Sequence, residues 1–242
     1  MSSPSFTSSI HVFCLALLFQ IAMGVDPLFH FCSNSENFTA KGSYGKNLNK
    51  LIGDLYFKTP QTGFGLDSVG QYHDRTYGLS LCRGDVSSKD CKACIGEAGS
   101  EIQKSCPDNK RAIIWYDNCL LKYANSDFFG KIDDQNRFYM LNSRNVSDPY
   151  SFNLKTRELL SQLSKEAYGN RKMYAAGESK LANSEKLYGL VQCTRDLSSG
   201  DCKKCLDDAI SELPSCCDGK EGGRVVGGSC YIRYEIYPFV KV

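Results

Sequence analysis

CRGDVSSKDCKACIGEA at Cys82–Ala98 and CTRDLSSGDCKKCLDDA at Cys193–Ala209 are near-copies within one chain. In each, three cysteines stand with eight residues and then two between them. Working outward, YGLSLC (Tyr77–Cys82) and YGLVQC (Tyr188–Cys193) lead into the two passages. Both copies then run into an apolar-aromatic segment around one more cysteine, RAIIWYDNCLLKYA at Arg111–Ala124 and RVVGGSCYIRYEIYPF at Arg224–Phe239. Each half is therefore a copy of one domain-sized unit. The polar NSRNVSDP, Asn142–Pro149, holds the expected junction, which places the first unit at 25–143 and the second at 144–242.

Compartment decides what the cysteines are. HVFCLALLFQIAMG at 11–24 is an apolar run too short to span a membrane with normal flanks, and it ends in small residues that suit signal peptidase. Residues 1–24 read as a secretory signal, whose removal takes Cys14 with it. Thirteen cysteines less one leaves an even set, and in a secreted chain an even set reads as disulfides. No second apolar stretch of membrane-spanning length follows, so the expected product is soluble and extracellular, with no membrane anchor. The sequons Asn37-Phe38-Thr39 and Asn145-Val146-Ser147 make Asn37 and Asn145 expected glycosylation sites.

Within the unit, Leu48, Leu51, Ile52, Leu55 and Tyr56 fall at helical spacing, as do Leu159, Leu160 and Leu163. Ser87 and Ser198 each precede an Asp by three residues, a capping-box spacing with Asp in place of Glu. Cys91, Cys94, Ile95, Ala98 and Ile102 then form one stripe, repeated by Cys202, Cys205, Leu206, Ala209, Ile210 and Leu213. Aromatic and β-branched stretches at 76–81, 112–116, 120–123, 187–192, 224–226 and 231–237 read as strands. The expected fold class is α+β, two tandem disulfide-stapled units, each an antiparallel sheet with two helices on one face.

The duplicated cysteine spacing, the YGLxxC lead-in and the GGRVVGGSCYIRYEIYPF ending resemble the ginkbilobin-homology, or stress-antifungal, domain of land plants. Two such domains in a secreted chain resemble the plant cysteine-rich repeat secretory proteins. That resemblance implies Cys32 joined to Cys106, Cys82 to Cys91 and Cys94 to Cys119, and by analogy Cys193 to Cys202 and Cys205 to Cys230. The second unit lacks a counterpart of Cys32 and has an added Cys216 beside Cys217. Those two form a vicinal disulfide, stay reduced, or bond outside the unit, with the vicinal bond favoured because free thiols are disfavoured in secretion.

Residue chemistry argues against an enzyme. A zinc site from Cys91, Cys94, Cys106 and Cys119 conflicts with an oxidising route. Redox use of Cys91 and Cys94 is explained better by packing, because Cys202 and Cys205 repeat them on an apolar stripe. His30 and His73, the histidines beyond residue 24, lie in no nucleophile or metal motif. With 29 basic and 27 acidic residues the chain is too balanced for a nucleic-acid binder. No cofactor is expected.

The resemblance also implies a route to mannose, through an Asn after the first cysteine, an Arg between the last two and a Glu after the final one. The first unit offers Ser33, Ile113 and Ala124 at those positions and matches none. The second offers Arg224 and Glu235, with Asn142 as the candidate third member. A guanidinium and a carboxylate satisfy several sugar hydroxyls, although Arg224 and Glu235 would equally suit a cross-strand pair. The favoured function is a non-enzymatic apoplastic recognition protein, stress- or defence-related, with apoplastic or cell-surface proteins such as receptor ectodomains as partners. The alternative is a mannose-type antifungal lectin that takes a cell-wall or fungal glycan through the second domain.

Overall fold

The computed structural model describes residues 26–33, 36–181 and 185–240; the expected signal at 1–24, Cys14 included, lies outside them. In chain order the first unit comprises β1 (Phe29–Cys32), α1 (Ser43–Thr62), β2 (Phe64–Val69), β3 (Thr76–Cys82), α2 (Ser88–Ser105), β4 (Ala112–Trp115) and β5 (Cys119–Ala124). The second comprises β6 (Arg137–Leu141), α3 (Pro149–Tyr168), β7 (Tyr174–Lys180), β8 (Lys186–Cys193), α4 (Ser199–Ser211), the one-turn α5 (Leu213–Cys216), β9 (Gly222–Gly227) and β10 (Cys230–Glu235). Each unit holds a five-stranded sheet, in the order β1-β4-β5-β3-β2 and its copy β6-β9-β10-β8-β7. Every strand pairing is antiparallel.

The opening cysteine pattern now has a structural cause. Cys82 and Cys119 stand directly opposite each other on β3 and β5, while Cys91 and Cys94 sit one turn apart on α2. The disulfides Cys82–Cys91 and Cys94–Cys119 thus fasten the first two turns of one helix to two neighbouring strands. Cys193–Cys202 and Cys205–Cys230 repeat the device between α4, β8 and β10. The first helical turn is also capped alike in both units: the Ser87 and Ser198 hydroxyls accept from the Asp90 and Asp201 amides, at 3.1 Å each. Both hydroxyls donate in turn to the carboxylates of those aspartates.

Alternation along β3 explains the layers. Gly78, Ser80 and Cys82 face the helices, and a side chain at Gly78 would collide with Leu51 and Leu55 of α1. Leu79 and Leu81 face the other way, joining Ile113, Trp115, Leu120 and Val226 in a third buried cluster that spans both units. The two sheets therefore pack through their helix-free faces, with one helix-covered core outside each. Polar links cross the same seam: Trp115 Nε1 donates to the Gly227 carbonyl at 3.1 Å and Gln192 Nε2 to the Cys82 carbonyl at 3.0 Å. Near the junction between the units, Phe138 packs edge-on against Trp115, Tyr139 donates to Glu212, and Tyr150 is exposed.

One strand falls on the other side of the expected boundary. Arg137–Leu141, placed in the first unit by the 143/144 division, is the edge strand β6 of the second sheet, paired with β9. It takes there the place that β1 takes beside β4, so the connection between the sheets runs through residues 125–136. The sequence hid this because β6 lacks the cysteine that marks β1: Leu141 stands where Cys32 stands. Cys32 is joined to Cys106, whereas Cys217, the counterpart of Cys106, is joined to its neighbour Cys216.

Candidate functional site

The start of β9 and the end of β10 build the candidate site. Gly222 pairs with Glu235 across the ladder, and a Cβ on Gly222 would lie on the Glu235 carboxylate. The doubled glycine of GGRVV is thus what lets a buried glutamate lie flat over the neighbouring strand. Arg224 follows on the same strand, opposite Met140 of β6. Asn142, just past β6, donates its backbone N–H to the Gly222 carbonyl at 2.9 Å, as Ser33 donates to Arg111 in the first unit. Asn142 is therefore the structural equivalent of Ser33, a correspondence that no cysteine announces.

Asn142, Arg224 and Glu235 line one depression of about 250 Å³, together with Met140, Leu141 and Tyr237. The register likewise sets Ala124 in the place of Glu235, since the two pair with Tyr77 and Tyr188. The first unit thus presents Ser33, Ile113 and Ala124, an almost apolar version of the same corner.

The charges are held, but not chiefly by each other. Arg224 Nε lies 4.0 Å from Glu235 Oε1, a loose contact, whereas its NH1 donates to Asp117 Oδ1 at 2.6 Å. Glu235 accepts instead from Arg233 Nε at 3.1 Å. Arg233 also lies 3.6 Å from Asp117, donates to the Tyr237 hydroxyl at 3.3 Å, and stacks 4.0 Å over the Phe239 ring. Two guanidiniums and two carboxylates form a neutral network, of which Asp117 belongs to the β4–β5 turn of the other unit. Sequence reading missed Arg233 and Asp117. Arg233 had a signal, a lone cation between Ile232 and Tyr234 two residues before Glu235; Asp117 had none, because it meets the site only through the packing of the two sheets.

The side chains of Asn37 and Asn145 are exposed, and they occupy matching places, each in an isolated bridge, to Asn109 and Lys220. Among the described residues no group of three or more His, Cys, Asp or Glu could hold a metal ion, and no helix is long and apolar enough to cross a membrane.

The salt stress response/antifungal family profile matches residues 31–126 and 140–237, one copy per sheet. The chain is 60% identical to an antimicrobial ginkbilobin-2-like protein of Castanea crenata, over 96% of each chain. It is 57% identical to cysteine-rich repeat secretory protein 38 of Arabidopsis thaliana, over 88% of this chain and 86% of that one. Among solved structures, the tandem DUF26 ectodomain of the Arabidopsis thaliana cysteine-rich receptor-like protein PDLP8 superposes with a TM-score of 0.77 at 26% identity, covering 88% of this chain and all of that one. The corresponding ectodomain of PDLP5 gives a TM-score of 0.74 over the same share.

Proposed function

The chain belongs to the salt stress response/antifungal family of cysteine-rich repeat secretory proteins, and from that premise we propose that it is a non-catalytic recognition protein that contacts a mannose-type glycan through its second unit. It is a secreted, extracellular protein, in keeping with a relative named as secretory and with the likeness to an ectodomain. The observation that carries the glycan reading is the convergence of Asn142, Arg224 and Glu235 on one depression. An amide, a guanidinium and a carboxylate together offer donors and acceptors for neighbouring sugar hydroxyls, and Tyr237 adds an apolar face to the same wall. The first unit, with Ile113 and Ala124 at the corresponding positions, would act as scaffold and as the source of Asp117. The antimicrobial designation of the chestnut relative supports a defence role for such binding.

A glycan array with the mature protein tests this reading. Mannose-terminated glycans should be retained, and Arg224→Ala should lower affinity by about tenfold, as expected for loss of charge-assisted hydrogen bonds. Retention of no glycan by the folded wild type would remove the reading. A protein partner is the second reading, favoured by the likeness to receptor-like ectodomains and by Phe29, Phe31, Tyr139 and Leu141, exposed on the edge strands β1 and β6. A pull-down from apoplastic fluid separates the two.

A further inference from the structure

On the helix side of the second sheet, α3 and the α4–α5 segment leave a cleft of about 220 Å³ lined by Tyr150, Leu154, Thr156, Arg157, Ile210 and Leu213. Thr156 is only 3% exposed, yet its hydroxyl has no hydrogen-bond partner. Buried polar groups are almost always satisfied, so an unsatisfied one on a cleft wall marks a place for a guest atom. The other unit supplies an internal comparison. Gly78 abuts Leu51 and Leu55 of α1, and Gly189 abuts Leu159 and Leu163 of α3, so the helices align with Leu48 in the place of Thr156. Leu48 is buried in the first core, and the second unit has exchanged that apolar side chain for a shorter one that bears a hydroxyl.

The rim adds charge. Arg157 is exposed and, unlike Lys155 beside it, which pairs with Glu158, makes no ion pair among the described residues. Tyr150 and Leu154 stand exposed on the same side. An apolar cleft with one inner hydroxyl and one free cation at its mouth complements a small, flat, apolar acid. Its volume lies below that of a drug-sized site and suits a compound of one or two rings.

We propose that this cleft is a second ligand site, separate from the Arg224–Glu235 depression, that takes a small aromatic monocarboxylate bearing a polar ring substituent. The ring lies between Leu154, Ile210 and Leu213, the carboxylate meets Arg157 and the ring substituent meets Thr156. Titration calorimetry of the mature protein with para-hydroxycinnamate, and with para-hydroxycinnamyl alcohol as its neutral counterpart, tests this. The acid should bind more tightly than the alcohol, and Arg157→Gln should weaken the acid by about tenfold while leaving the alcohol unchanged, because only the acid makes a charge-assisted contact. Thr156→Leu, which copies the first unit and so keeps a well-packed helix, should abolish binding of both. Binding of neither compound to the wild type, or binding that both variants leave intact, overturns the proposal.

Discussion

Arg224 NH1 and Asp117 Oδ1 lie 2.6 Å apart across the seam between the two sheets, so the arginine of the candidate sugar site is tied to a carboxylate of the first unit. Asp117 takes one donor of the Arg224 guanidinium, and that donor is then not free for a sugar hydroxyl. Asp117→Ala should therefore raise mannose affinity severalfold. The cost in stability should be roughly 1–3 kcal/mol, because the buried Arg224 and Arg233 guanidiniums would then share Glu235 alone, a loss eased by the partial exposure of Asp117. An affinity that falls, measured by calorimetry on the folded variant, would show instead that Asp117 is needed to hold Arg224 in place.

The vicinal pair Cys216–Cys217 and the long-range pair Cys32–Cys106 occupy corresponding corners of the two units but differ in what they constrain. Cys32–Cys106 spans 74 residues, and opening such a loop should cost about 4 kcal/mol in the chain-entropy account. Joining neighbours restrains almost no unfolded chain, so replacing Cys216 and Cys217 together by Ser should cost under about 1 kcal/mol. The effect should be local: Cys217 accepts from the Tyr234 hydroxyl at 3.0 Å, and Tyr234 precedes Glu235. Chemical denaturation of the two double-serine variants gives the contrast, and equal losses would contradict it.

What the sequence revealed follows from where the cysteines and the apolar runs lie. The central strands β3 and β8 are buried on both faces, so Thr76–Cys82 and Lys186–Cys193 show as near-continuous apolar runs ahead of a cysteine, and the capped helices follow at once. The edge strands were not legible. FGLDSV and YAAGESK carry too few strand-forming residues to stand out, and they are strands because a neighbour on one side supplies their ladder. Arg224 and Glu235 could be counted from Cys230, but Asn142 needed the register of β6 against β9. Asp117 needed the packing of one sheet on another, which no local pattern encodes.

Asp133, in the connection between the sheets, forms a buried ion pair with Lys122 of β5. Burial pushes its carboxyl up, but the Lys122 ammonium and hydrogen bonds from Asn136 outweigh that and hold it below the usual carboxylate range. A depressed folded value means that the stabilisation is fully present above the unfolded value, near about pH 4, and is lost as pH falls through the lower folded value. Asp133→Asn leaves Lys122 buried without its partner and should cost roughly 3–5 kcal/mol at neutral pH. The gap between wild type and variant, followed by denaturation, should hold constant down to about pH 5 and close below about pH 4. A gap independent of pH would assign the loss to packing alone.

Trp115 is the central link between the units. It is buried in the cluster shared by both sheets, meets Phe138 edge-on at 5.2 Å between ring centres, and donates to Gly227 of β9 at 3.1 Å. None of these contacts supports the helix-covered core of either unit, which contain no Trp115 atom in their buried clusters. Trp115→Ala should therefore weaken coupling more than folding. Truncating a buried tryptophan costs about 3–5 kcal/mol, and here that loss falls on the seam. Wild-type protein should unfold in one cooperative transition, because separating the sheets exposes Leu79, Leu81, Ile113 and Leu120 to water. The variant should unfold in two steps by calorimetry and show a broader distribution of interdomain distances by small-angle scattering. A single transition merely shifted to lower temperature, with an unchanged scattering profile, would mean that the polar links at Gln192 and Arg224 are enough to keep the two sheets one body.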